Sequence, residues 1–184
     1  VGVKVLDDNG SGSYDDIIAG VEWVADNAEP GSVANLSLGG PASQALDEAV
    51  NALAASGVFV AVAAGNEGQD ANNVSPGGAS GVATVAASGE TDTSASFTNH
   101  GSAVDIYAPG VGVESTVPGG GTDVYNGTSM ASPHVAGAAA LYKDTHGDAD
   151  QATVLDHLVT NGGDDKLSGV PADTVNVLLN VEGL

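Results

Sequence analysis

The sequence predicts an α/β protein, a three-layer α/β/α sandwich around a mostly parallel sheet. Apolar residues alternate or run on over short stretches at residues 1–6, 33–38, 58–63 and 82–87, the period of strands. Helical spacing fills the gaps between the first three, and strand–helix–strand repeats imply right-handed crossovers and covered sheet faces. The stretch 58–63 is apolar at every position, as in a strand buried on both sides of a parallel sheet.

Each element has its own signal. Residues 1–6 read Val-Gly-Val-Lys-Val-Leu, a strand, followed by the turn residues Asn9-Gly-Ser-Gly12. Ile17, Ile18, Val21, Val24 and Ala25 give residues 14–27 a helical face. A second strand is expected at 33–38. Ala45, Leu46, Ala49 and Leu53 mark a second helix over 42–56, stopped by Gly57. After the strand at 58–63 comes a Gly/Asn/Asp-rich loop at 65–80, then a strand at 82–87. Residues 88–127 suggest short β segments with Gly and Pro turns. Helices are expected at 128–146 and 151–160, and a last strand at 175–179. No linker or repeat divides the chain, so residues 1–184 read as one domain.

Composition narrows the function. Asp and Glu number 24 against three lysines and no arginine, a net charge of −21. Such a charge repels nucleic acid and anionic membranes. It suits an acidic, soluble, secreted protein, or one adapted to high salt, where a Debye length of roughly 3 Å at 1 M screens self-repulsion. The lack of arginine favours the second. Without cysteine there is no disulfide and no thiolate metal site. No apolar run approaches a membrane span of about 18 residues. No leader sequence is evident, and the chain reads as an internal or mature segment.

The strongest chemical signal is Asn126-Gly-Thr-Ser-Met-Ala-Ser-Pro-His-Val-Ala-Gly137. Ser129 stands at the start of an expected helix, where free amides and the dipole favour developing negative charge. Gly127 is expected to allow a tight backbone approach. Pro133 is expected in the first turn, where its missing N–H costs nothing. The helix reads as apolar all round, hence buried. A serine that only caps its helix would carry the same local signal.

The string as a whole resembles the serine signature of the subtilisin-like serine proteases. Gly2-Val-Lys-Val-Leu-Asp-Asp-Asn-Gly-Ser-Gly12, Asn35-Leu-Ser-Leu-Gly-Gly40, Ala61-Val-Ala-Ala-Gly-Asn-Glu67, Ser96-Phe-Thr-Asn-His-Gly101, Asp105-Ile-Tyr-Ala-Pro-Gly110 and Asp173-Thr-Val-Asn-Val-Leu-Leu179 resemble the proteinase K branch of that family. The match covers the later two-thirds or so of the family's catalytic domain, so the expected fold is subtilisin-like and truncated at its N-terminus. The resemblance implies a secreted endopeptidase with Ser129 as nucleophile and Asn66 as oxyanion-hole donor. It gives Gly10, Ser11, Gly12, Ser37, Leu38 and Gly39 to two edges between which an extended polypeptide substrate adds as a strand. Tyr14 and Leu38 would line the pocket four residues before the cut, and Ala64 and Glu67 would shape the first pocket. Asp105, with the carbonyls of Ser80 and Val82, falls where this branch binds a structural calcium ion. No catalytic cofactor is implied.

One part is missing. A serine nucleophile needs a base, and the base an orienting carboxylate. The family takes both from segments upstream of residue 1. His134 belongs to the serine helix with a structural role, His100 replaces an aromatic residue, and His146 and His157 are expected to be solvated. The partner implied is therefore the N-terminal remainder of the catalytic domain. The alternatives are an inactive homologue that binds peptides and a generic α/β binding domain.

Overall fold

The computed structural model describes residues 1–184. Helix α1, Tyr14–Asn27, is opened by Ser13, whose hydroxyl accepts from the Asp16 amide, and it buries Ile17 and Val21. Strand β1, Val33–Leu36, and the short β2, Gly40–Pro41, lead into α2, Gln44–Ala55, capped by Ser43 and burying Leu46, Val50, Leu53 and Ala54. Strand β3, Phe59–Ala63, is buried at all five positions. A 3₁₀ turn, Ala71–Asn73, precedes β4, Val74–Ser75, which pairs with β2. Strands β5, Ala83–Ser88, and β6, Ile106–Pro109, follow, then the exposed hairpin of β7, Val113–Thr116, and β8, Thr122–Tyr125. The chain closes with α3, Thr128–His146, α4, Gln151–Asn161, β9, Gly163–Asp164, and β10, Val177–Leu178.

The expected sandwich is what forms. Six strands order as β1-β3-β5-β6-β10-β9, parallel throughout except β9. One face carries α1 and α2, whose Ile17, Leu46 and Val50 pack with Val60 and Val62. The other carries α3 and α4, whose Val135, Ala139, Val154 and Leu158 pack with Phe59, Ala61, Val85 and Ile106. Alternation along one strand thus feeds both layers.

Two expectations fail. Residues 1–6 join no sheet. Val5 rests in a notch on α1 where a Cβ at Gly20 would collide with it. A cleft of about 590 Å³ lies between this segment, α1 and β1. The alternation was right for an extended chain, but a ladder needs a neighbour, and none is within reach. Helix α3 is not buried all round either: Pro133, His134, Gly137 and Ala140 face solvent, and Leu141 is 53% exposed. A helix lying on one sheet face keeps an outer stripe, whatever its composition.

Candidate active site

The carboxyl ends of β1 and β3 and the amino end of α3 converge, as expected where parallel strands finish. Ser129 is the second residue of α3 and half-buried. Its Oγ donates to the Ser37 carbonyl at 3.4 Å. The Ser37 hydroxyl donates to the Ser129 carbonyl at 2.7 Å. The loop after β3 approaches from the other side. Asn66 Oδ1 accepts from the Thr128 amide at 2.8 Å and from the Thr128 hydroxyl at 3.0 Å. The Thr128 hydroxyl accepts from the Gly65 amide at 3.2 Å. With its oxygen held twice by Thr128, the Asn66 amide has its oxygen and nitrogen ends fixed, and Nδ2 is left as the donor end.

Below this surface sits Asn99, fully buried. Its Oδ1 accepts from the amides of Glu67 and Gln69, both at 3.1 Å. Its Nδ2 donates to the Ala64 carbonyl and the Glu67 carboxylate, both at 2.9 Å. Gly65 must be glycine here, since its φ is +101° and a Cβ would strike the Asn99 amide. Thr128 and Asn99 carried no assigned role in the sequence. Asn99 lay inside a matched string, but nothing in a sequence marks a polar side chain as buried.

A small cleft of about 70 Å³ joins Leu38, Gly39, Asn66, Glu67, Thr128 and Ser129. Other expected substrate residues stand apart from it. Ala64 is fully buried behind the cleft. Gly10, Ser11 and Gly12 lie in a turn closed by Asp7, whose carboxylate accepts from the Asn9 and Ser11 amides and is held below the usual range by those bonds. Tyr14 donates its hydroxyl to the Pro41 carbonyl, and burial, with the charge of Asp47, raises its pKa above the ordinary phenol value.

Other details depart from the sequence reading. The close backbone approach belongs to Gly110, where a Cβ would meet the Gly127 carbonyl at 2.8 Å, whereas at Gly127 the nearest atom stays 3.6 Å away. Because α3 starts at Thr128, Pro133 is its sixth residue and lies in the second turn. None of the four histidines bonds Ser129. His134 Nδ1 meets the Met130 carbonyl at 2.8 Å and His100 Nδ1 lies 3.9 Å from Asp173. His157 is not solvated: it is half-buried and stacks with Tyr142 at 4.7 Å, and His146 lies 5.5 Å away across the two helices.

Asp105 begins the connection into β6. Its Oδ2 accepts from the Thr84 amide at 2.8 Å, yet burial pushes its pKa up to about 6, against the smaller opposite effect of that bond. A carboxylate so strained by desolvation, with no cationic side chain beside it, fits a bound cation. No three acidic or histidine side chains converge anywhere in the chain, so a cation there would depend on main-chain carbonyls and water for its other oxygens.

This arrangement holds a serine hydroxyl in the first turn of a helix and an oriented side-chain amide on one strand-end cleft. The Subtilase family model (Peptidase S8) matches residues 1–175. Proteinase T of Parengyodontium album is 45% identical over 183 residues, covering 97% of this chain and 62% of that protein. The cuticle-degrading protease of Metarhizium anisopliae is 45% identical over 182 residues, covering 96% and 47%. The crystal structure of a cold adapted subtilisin-like serine proteinase superposes with a TM-score of 0.96 at 44% identity, over 98% of this chain and 66% of that one. The chain thus spans less than two-thirds of these curated relatives. It belongs to the subtilase family of serine proteases, within the proteinase K-like branch.

Proposed function

We propose that this chain is the C-terminal portion of a secreted serine endopeptidase, with Ser129 attacking the peptide carbonyl to form an acyl-enzyme. The observation that carries the reading is the paired placement of Ser129 and Asn66, joined through Thr128. The Ser129 amide and Asn66 Nδ2 are the oxyanion donors, acting on charge that develops in the transition state. Extended polypeptide is the substrate, lying between the segment at Gly10–Gly12 and that at Ser37–Gly39. Aspartate and histidine come from the part of the catalytic domain that the relatives carry and this chain does not span. The open edge of β1 and its apolar cleft support docking of that part. Taken alone, this chain has no imidazole to receive the Ser129 proton.

In the complete enzyme, Ser129→Ala should abolish hydrolysis of unfolded proteins and labelling by a fluorophosphonate; labelling that persists elsewhere would remove Ser129 as the nucleophile. The isolated chain should label at a negligible rate. Asn66→Ala should lower kcat with KM little changed. In subtilisin itself such a loss is about 10²–10³. An inactive homologue that binds peptides is the alternative, and a complete protein that binds fluorescent peptide without labelling would favour it.

Two further readings concern conditions. A structural calcium ion sits at Asp105 with the carbonyls of Ser80 and Val82, and its binding weakens as pH falls through about 6, where Asp105 takes up a proton. The charge of −21 is an adaptation to high salt, which screens repulsion and strengthens apolar burial. The melting temperature should rise clearly from dilute buffer to molar potassium chloride; a flat response leaves acidity as a solubility feature.

A further inference from the structure

Pro133 deprives the nucleophile's own carbonyl of its helical partner. In an α-helix the carbonyl of residue 129 accepts from the N–H of residue 133, and proline has no N–H. A half-buried carbonyl left empty would weaken the turn that carries Ser129. The end of β1 supplies the donor instead. The Ser37 hydroxyl lies 2.7 Å from the Ser129 carbonyl.

The direction of every bond behind this contact is then forced. A carbonyl oxygen only accepts, so the single Ser37 proton is committed to it. Ser37 Oγ therefore accepts from Asn35, whose Nδ2 lies 3.0 Å away. That turns Asn35 Oδ1 toward Ser132, whose hydroxyl donates at 2.7 Å. Ser132 is fully buried in α3, three residues after Ser129. Three hydrogen bonds thus leave α3, cross the last residues around β1 and return to α3. Ser37 closes the loop from its main chain, accepting the Ser129 hydroxyl at 3.4 Å.

We propose that Ser37 and Asn35 are positioning residues for Ser129, their side chains replacing the amide that Pro133 lacks. A bond that would otherwise run along the helix runs to the sheet, so the nucleophile is fixed against β1 rather than against α3 alone. This is a side-chain role, separate from main-chain pairing of Ser37 with substrate. It rests on the reading of Ser129 as nucleophile.

The test uses the complete enzyme with Ser37→Ala, Ser37→Thr, Pro133→Ala and the double variant Ser37→Ala/Pro133→Ala. Ser37→Ala should lower kcat and the fluorophosphonate labelling rate about tenfold, the size of one hydrogen bond lost from a half-buried acceptor, with KM within about twofold. Ser37→Thr keeps the hydroxyl and should stay near the parent. The double variant regains an N–H at residue 133 and should recover most of the loss. An unchanged rate in Ser37→Ala, or a double variant no faster than Ser37→Ala, overturns the proposal. Melting temperatures of the same proteins read the bond without activity: Ser37→Ala should cost less in the Pro133→Ala background, and equal costs overturn it. A parent enzyme that fails to label at Ser129 would instead defeat the proteolytic reading, leaving the melting comparison to decide the bond.

Discussion

The stretch of sheet from β3 to β6 and the stretch that ends at β1 use the same kinds of residue but are finished differently. Phe59, Ala61, Val85 and Ile106 are fully enclosed between strands on either side and helices above and below. Val33 is only half-buried and Asn35 is exposed, although they lie one strand away. In a parallel ladder alternate residues turn their polar groups to opposite sides. The Phe59 amide bonds the Ser32 carbonyl, so Val33 and Asn35 direct theirs at the open edge. Apolar pattern decides which residues seek cover; the neighbouring strand decides whether they find it.

The comparison breaks if both regions tolerate truncation equally. Phe59→Ala empties a fully buried site and should cost about 4 kcal/mol, measured by urea unfolding. Val5→Ala, at the open side, should cost less than about 1 kcal/mol. Next in size is Lys143, the buried member of three lysines. Its ammonium bonds the carbonyls of Gly57 at 3.1 Å and Ser32 at 3.4 Å and pairs with Asp148 at 2.9 Å, pinning α3 to the approaches of β3 and β1. Lys143→Ala should cost about 2–3 kcal/mol, and a negligible loss would mean the two regions are not tied there. Asp148, held low chiefly by that bond, should give its share up as pH drops below the ordinary carboxylate range.

A smaller change of opposite sign is expected at Asp105. Its folded pKa is raised, so its charge opposes folding above pH 6 and the penalty fades as pH falls toward its unfolded value near 4. In chelator at pH 7, Asp105→Asn should therefore stabilise by about 1–2 kcal/mol, and with calcium the sign should reverse. A variant that destabilises under both conditions would show that the Thr84 contact outweighs desolvation. Hydrogen exchange gives the finest contrast: amides of β5 should exchange only through global unfolding, those of Val33 and Asn35 much sooner.

Much of this was legible beforehand. Continuous apolar residues at 58–63 announced a doubly covered strand, and the helical spacing around Leu46 and Leu53 placed α2 within two residues at its start and one at its end. Ser129 and Asn66 stood out because long strings surround them. What escaped depended on contacts distant in sequence. Residues 1–6 alternate like a strand, yet pairing is a property of two segments. Pro133 was misplaced by one turn because a helix start is set by backbone bonds that composition only suggests. Ser132, Thr128 and Asn99 are polar residues enclosed by the fold, and burial of a polar side chain is visible only once its partners are assembled.

Asn99 gives the loop at residues 64–69 a common anchor. Its amide makes four hydrogen bonds, two received and two given, to Ala64, Glu67 and Gln69, which exhausts what such a group can do. Turning that rigid plane disturbs all four at once, so the loop that carries Asn66 is tied together through one side chain. Aspartate, nearly the same shape, would put an acceptor where the Ala64 carbonyl requires a donor. Rigidity on the Asn66 side of the cleft thus resides in one side chain that never reaches the surface.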